Sequence, residues 1–154
     1  MLQINVCIRA ITLVQSLGIY NMNKEAILIV EDDPDDMLFV KEAFRMTGYN
    51  KPLIEFNTGK LFVDYVKKIG PGNTPSIAII DNNLPPYTAL DILKDIQQIR
   101  TMSYFPIIVF TTALSPQAKE GILKIGACCI VTKPGTVEEF RKIISAISLL
   151  WCLT

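Results

Sequence analysis

Ser76-Ile77-Ala78-Ile79-Ile80-Asp81-Asn82-Asn83-Leu84-Pro85 sets an unbroken apolar run directly before one carboxylate, turn formers and a proline. A continuous, mostly β-branched run of this length predicts a strand buried on both faces, as inside a parallel sheet. Its carboxyl end then lies at the sheet edge, where open α/β folds place their ligand sites. Asp81 is therefore either an acid that merely finishes a strand or the reactive centre, and the other strand ends decide which.

Upstream, Ala26-Ile27-Leu28-Ile29-Val30 is a second such run, and it ends in Glu31-Asp32-Asp33-Pro34-Asp35-Asp36. Asp33 suits an N-cap and Pro34 the first helical position, while Asp35 and Asp36 favour the positive helix end. These roles leave Glu31 and Asp32 unexplained, at the strand end before the helix begins. Met37, Val40 and Phe44 share one face of a helix running to about Thr47, which Gly48 stops. Residues 52–57 predict a second strand. Residues 60–69 predict a helix with Phe62, Tyr65, Val66 and Ile69 inward, closed by Gly70-Pro71-Gly72.

Downstream, Ala89, Ile92, Leu93, Ile96 and Ile99 mark a third helix. Residues 105–110 form a fourth apolar strand ending in Thr111-Thr112. Ser115-Pro116 opens a weaker helix with Ala118, Ile122 and Ile125 inward; Gly121 in its middle costs on the order of 1 kcal/mol relative to alanine. Residues 128–131 form a fifth strand ending at Thr132-Lys133-Pro134. Val137, Phe140, Ile143, Ile144, Ile147 and Leu150 stripe a final helix. Such alternation predicts an α/β fold: a doubly wound parallel sheet of flavodoxin-like (βα)5 type, strand order 2-1-3-4-5.

Composition narrows the chemistry. The 154 residues suit one domain, and 50% hydrophobic with 19% charged residues excludes a disordered or fibrous chain. Fifteen basic and fifteen acidic residues balance, so no net field draws the protein to nucleic acid or to an anionic membrane. The sequence has no histidine, which excludes Ser-His and Cys-His nucleophile pairs and His-ligated zinc. Cys7, Cys128, Cys129 and Cys152 match no zinc spacing and read as reduced packing residues of a cytoplasmic protein. Residues 1–22 read as a leader of uncertain structure before a domain at 23–154. The leader has no cleavage site and no apolar run long enough for a bilayer, and Met22 offers a second start.

Four strand ends now carry polar groups: Glu31 and Asp32, Asp81, Thr111, and Lys133. Parallel strands bring all of them to one edge. Each pair of carboxylates about 4 Å apart costs roughly 4 kcal/mol at an effective dielectric near 20. A divalent cation and a fixed lysine relieve that repulsion, and magnesium suits a few carboxylates plus phosphate oxygens. A metal-bound carboxylate beside a lysine and a hydroxyl is a phosphoryl-accepting site. Asp81 would attack phosphorus, Lys133 and magnesium would neutralise the transferred oxygens, and Thr111 would hydrogen-bond to one of them.

With those residues in place, the chain resembles the response-regulator receiver domains of two-component signalling, from about Lys24 to Leu150. The matching text is Ile-Leu-Ile-Val-Glu31-Asp32-Asp33-Pro34, Ile-Ala-Ile-Ile-Asp81-Asn-Asn-Leu-Pro85, Pro106-Ile-Ile-Val-Phe-Thr111 and Gly126-Ala127 through Thr132-Lys133-Pro134. The resemblance implies Asp81 as phosphoacceptor. It implies Asp32, Asp81 and the backbone carbonyl of Asn83 as magnesium ligands, with Glu31 acting through water. Thr111 would be the hydroxyl that turns inward on phosphorylation and Lys133 the phosphate-facing cation, followed by a cis bond to Pro134. It further implies a single-domain cytoplasmic regulator that catalyses only its own phosphorylation and dephosphorylation. Its phosphoryl donor would be a sensor histidine kinase or a histidine phosphotransfer protein.

Three positions depart from that pattern. Ile130 stands where an aromatic ring is usual, three residues before the lysine. Thr88-Ala89 replaces an Asp-Gly pair, and Thr112 replaces a small residue. They allow the alternative of a degenerate receiver that binds a partner without being phosphorylated. Output would pass through the Gly121-weakened helix, and the apolar end of the last helix would serve a homodimer or an effector protein. Two rivals from other classes are a flavodoxin-like cofactor binder and a metal-dependent hydrolase. The first lacks a phosphate loop after the first strand, and the second lacks a general acid.

Overall fold

The structure, a computed structural model, describes residues 26–69, 75–99 and 105–151. The leader expected at residues 1–22 and the stop at Gly70-Pro71-Gly72 lie outside them, as do Cys7 and Cys152. Five strands, β1 (Ile27–Val30), β2 (Leu53–Phe56), β3 (Ile77–Asp81), β4 (Ile107–Thr111) and β5 (Cys129–Thr132), form one parallel sheet. Its order is β2-β1-β3-β4-β5, as the alternation predicts. Five helices connect or follow them: α1 (Pro34–Met46), α2 (Gly59–Lys68), α3 (Ala89–Gln97), α4 (Pro116–Lys124) and α5 (Val137–Trp151).

Side chains alternate across the sheet and fill two cores. Ile27, Ile29, Ile77, Ile79, Ile108, Phe110, Cys129 and Val131 point to one face, where α1 and α5 cover them with Met37, Val40, Phe44, Phe140 and Ile144. Leu28, Val30, Ala78, Ile80, Ile107 and Val109 point to the other, beneath Phe62, Val66, Ile92, Leu93 and Ile122 of α2, α3 and α4. Each fully buried side chain of this size contributes roughly 1.5–3 kcal/mol, so a strand lined on both faces anchors strongly. That is why β1, β3 and β4 read as unbroken apolar runs.

Caps set the helix starts. Asp33 caps α1, accepting from the amides of Asp35 and Asp36 at 2.8 and 3.2 Å, with Pro34 following. Thr58 and Ser115 cap α2 and α4 in the same way. Thr88 and Asp91 form a capping box at α3, so the Thr88-Ala89 departure supplies a helix start in its own right. Gly48, at φ +79°, ends α1 in the left-handed region that side chains avoid.

Several local expectations need correction. A two-residue hairpin pairs Asn83–Leu84 with Tyr87–Thr88, where only a turn was read. The cis bond lies between Pro85 and Pro86, and the bond from Lys133 to Pro134 is not cis. Lys133 instead extends the ladder, its amide donating to the Thr111 carbonyl at 2.8 Å. Helix α4 fully buries only Ile122; Ile125, just past its end, is half-buried against the second core as expected, and Ala118 is half-buried. Leu149 near the end of α5 is 79% exposed while Ile147 and Ser148 beside it are buried. Among the described residues, no helix is long and apolar enough to cross a membrane.

Candidate functional site

Register builds the site. Val30, Ile80, Val109 and Ile130 stand at one level across four strands. The next residue along each chain therefore brings Glu31, Asp81, Phe110 and Val131 level at the sheet edge, and one step further come Thr111 and Thr132. Asp32 and Lys133 extend just past it. Asn82 continues the ladder, its amide donating to the Phe110 carbonyl at 2.8 Å, and this fixes the backbone immediately after Asp81.

Four acids and one lysine meet there. The Lys133 ammonium lies 2.8 Å from Glu31 Oε2, 2.7 Å from Asp36 Oδ2 and 3.4 Å from Asp81 Oδ2. Both oxygens of Glu31 have a partner, the other one accepting the Asp33 amide at 3.1 Å. Asp32 is exposed, and its carboxylate has no partner among the described residues. Glu31, Asp32 and Asp81 each offer an oxygen within 4.8 Å of the others, a spacing that suits one cation. The chemistry of that set is hard, all-oxygen and anionic, which fits magnesium or manganese better than zinc.

Burial and charge pull the titrations apart. Burial pushes the Asp81 carboxyl above the ordinary carboxylate range, and the ammonium of Lys133 and the amides of Asn82 and Asn83 only partly offset it. Glu31 is raised by burial as well, with Lys133 opposing and Asp81 reinforcing. Burial would lower Lys133, but its bonds to Asp36 and Glu31 outweigh that and hold it charged above its usual value. When ionised, the four acids exceed the lysine by three charges (four minus one). The edge is an anionic pocket around one fixed cation.

The other expected residues sit as follows. Thr111 is buried at the end of β4, and its hydroxyl donates to the Ala113 carbonyl at 3.1 Å. Asn83 opens the small hairpin two residues beyond Asp81, with its side chain exposed. Ile130 lies beside Val109 in the sheet and packs against the second core, so an aliphatic side chain fills the place an aromatic would take. Sequence reasoning missed Asp36, to which only a helix-end role was given. No sequence signal separates it from Asp35, which is the same residue type in the same first turn of α1.

Comparison with known proteins places the fold in a family. The family model of the response regulator receiver domain matches residues 27–145, and the chain belongs to that family. Probable methanogenesis regulatory protein FilR2 of Methanothrix harundinacea is 23% identical over 127 residues, 81% of this chain and 82% of that protein. The phosphorylated cyanobacterial phytochrome response regulator RcpA shares the fold with a TM-score of 0.73 at 20% identity, covering 84% of this chain and 94% of that one. The Mn2+-bound form of response regulator Rcp1 does so with a TM-score of 0.70 at 23% identity, covering 82% and 94%.

Proposed function

We propose that this receiver domain takes a phosphoryl group onto Asp81 from the phosphohistidine of a sensor histidine kinase or a histidine phosphotransfer protein. The observation that carries it is a buried carboxylate at a strand end, 3.4 Å from a lysine whose side chain is 9% exposed, and clustered with two further acids. A phosphorylated RcpA of the same fold is consistent with it.

In this reading Asp32 and Asp81, with the backbone carbonyl of Asn83, hold a magnesium ion that Glu31 reaches through water. Such an ion supplies charge neutralisation, both of the crowded acids and of the transferred phosphoryl oxygens. The acidic cluster fits it, and Rcp1 binds Mn2+. A carboxylate oxygen of Asp81 forms the new O–P bond as the P–N bond of phosphohistidine breaks, and the bonding pair leaves on the histidine nitrogen. Lys133 donates to a phosphoryl oxygen. The Thr111 hydroxyl exchanges the Ala113 carbonyl for another phosphoryl oxygen, which pulls the loop ahead of α4.

Output follows from that pull as a change of surface, in a cytoplasmic regulator acting on a partner protein or a second copy through its last helices. The protein turns over no other substrate. A second reading has one observation in its favour: Ile130 is packed as core, so no rotating ring reports the site. It makes the domain an unphosphorylated interaction module.

Incubation with acetyl phosphate and magnesium, read by intact mass, separates the two. One phosphoryl group is expected on the wild type and none on Asp81→Asn or in EDTA. A wild-type protein that stays unmodified overturns the first reading in favour of the second.

A further inference from the structure

We propose that Asp36 is a positioning residue for Lys133, holding its ammonium so that one N–H stays aimed at Asp81 and at the phosphoryl group placed there. The inference rests on the reading of Asp81 as phosphoacceptor.

An ammonium has three N–H donors and, on a flexible four-carbon stem, no orientation of its own. Here three acids surround it, unequally. Asp36 and Glu31 hold it at 2.7 and 2.8 Å, whereas Asp81 stands off at 3.4 Å. Two donors are therefore anchored and the third is loosely held, pointing at the reacting carboxylate. The two anchors come from opposite ends of one short segment. The Glu31 carboxylate is held by the Asp33 amide, and the backbone that carries Asp36 is fixed where its amide donates to the Asp33 carboxylate. Asp33 thus fixes both anchors at once.

This arrangement suits transfer. Once Asp81 becomes an acyl phosphate, its carboxylate charge is gone and the charge sits on the phosphoryl oxygens. The third N–H passes from Asp81 to one of those oxygens while the other two keep their partners. Lys133 then needs no rearrangement of its stem. An ordinary surface ion pair does not explain the contact, because the Lys133 side chain is only 9% exposed. Helix-end charge does not explain it either, since Asp35 already supplies that and is exposed.

The test compares wild type, Asp36→Asn and Asp36→Ala. Both variants lose the same charge, but only asparagine keeps an oxygen that can accept from Lys133. Alanine is the best helix former, so α1 survives the change. The first readout needs no phosphorylation: the 15N ammonium resonance of Lys133 in the unmodified protein is expected to persist in wild type and Asp36→Asn and to broaden away in Asp36→Ala. The second is phosphorylation by acetyl phosphate. The maximal rate is expected to fall about tenfold in Asp36→Ala with KM little changed, and to stay within about threefold in Asp36→Asn. An Asp36→Ala protein matching wild type in both readouts overturns the proposal. So does an equal loss in both variants, which is a charge effect rather than positioning. If wild type takes no phosphoryl group, the reading of Asp81 fails, and the ammonium signal alone still decides whether Asp36 positions Lys133.

Discussion

The backbone amide of Lys133 donates to the carbonyl of Thr111 at 2.8 Å, so the lysine and the threonine at the sheet edge are tied by a hydrogen bond between their strands. The lysine ammonium and the threonine hydroxyl can each change partner while this bond holds β4 to β5.

Raised carboxyls at Asp81 and Glu31 carry a sign. Each binds protons more tightly in the fold than in the unfolded chain, so their contribution to stability is full below the ordinary carboxylate range. It is lost as pH rises through the raised values. In EDTA, Asp81→Asn should therefore match wild type near the acid end and exceed it increasingly toward neutrality. A gain of about 1 kcal/mol there corresponds to roughly 3–5 °C in Tm. Thermal unfolding across that pH range checks it, and a gain that shrinks with pH contradicts it.

Gly59 opens α2 against α3, and a Cβ there would meet Ile92 Cδ1 at 2.7 Å and Tyr87 Cβ at 3.2 Å. Ile92 is fully buried and has little room to yield. Gly59→Ala is expected to destabilise by about 1–3 kcal/mol through overpacking, outweighing the roughly 1 kcal/mol that alanine gains within a helix. Urea denaturation measures the balance.

Gly121 is the opposite case. An added Cβ meets nothing closer than the Leu90 methyls at 3.9 Å, an ordinary contact. Gly121→Ala should stabilise α4 by about 1 kcal/mol. Amide exchange in residues 116–124 should slow accordingly, whereas an unchanged rate removes the idea that this glycine loosens the helix.

The Tyr49 hydroxyl is buried with no hydrogen-bond partner among the described residues, and burial pushes its titration up to about 12. Its ring packs on Phe44 with centroids 5.3 Å apart. Tyr49→Phe keeps that contact and removes the unsatisfied oxygen. It is expected to stabilise by about 1 kcal/mol. A loss of stability in chemical denaturation would mean that the hydroxyl has a partner.

The sheet was readable because its strands are buried on both faces, and burial of that kind leaves unbroken runs such as Ile77–Ile80. The strand ends were readable for the same reason: once the order is known, parallel register places Glu31, Asp81 and Lys133 together. Ion-pair geometry was not. Nothing in the spacing of Asp35 and Asp36 tells which of two adjacent helix-end acids turns toward a lysine nearly a hundred residues away. The hairpin at Asn83–Leu84 escaped notice because two-residue strands carry no periodicity. The inward face of α4 was legible at Ile122 and Ile125, which both meet the second core.

The order of the site along the chain has a consequence for synthesis. Glu31, Asp32, Asp36 and Asp81 all leave the ribosome before Lys133. A nascent chain that has paired β1 with β3 holds those acids together with no fixed cation among them. The last strand is thus drawn in by the field of the first three, and its arrival discharges the tension their assembly creates. A chain interrupted ahead of it has every acid of the pocket and lacks the ammonium that pairs with three of them.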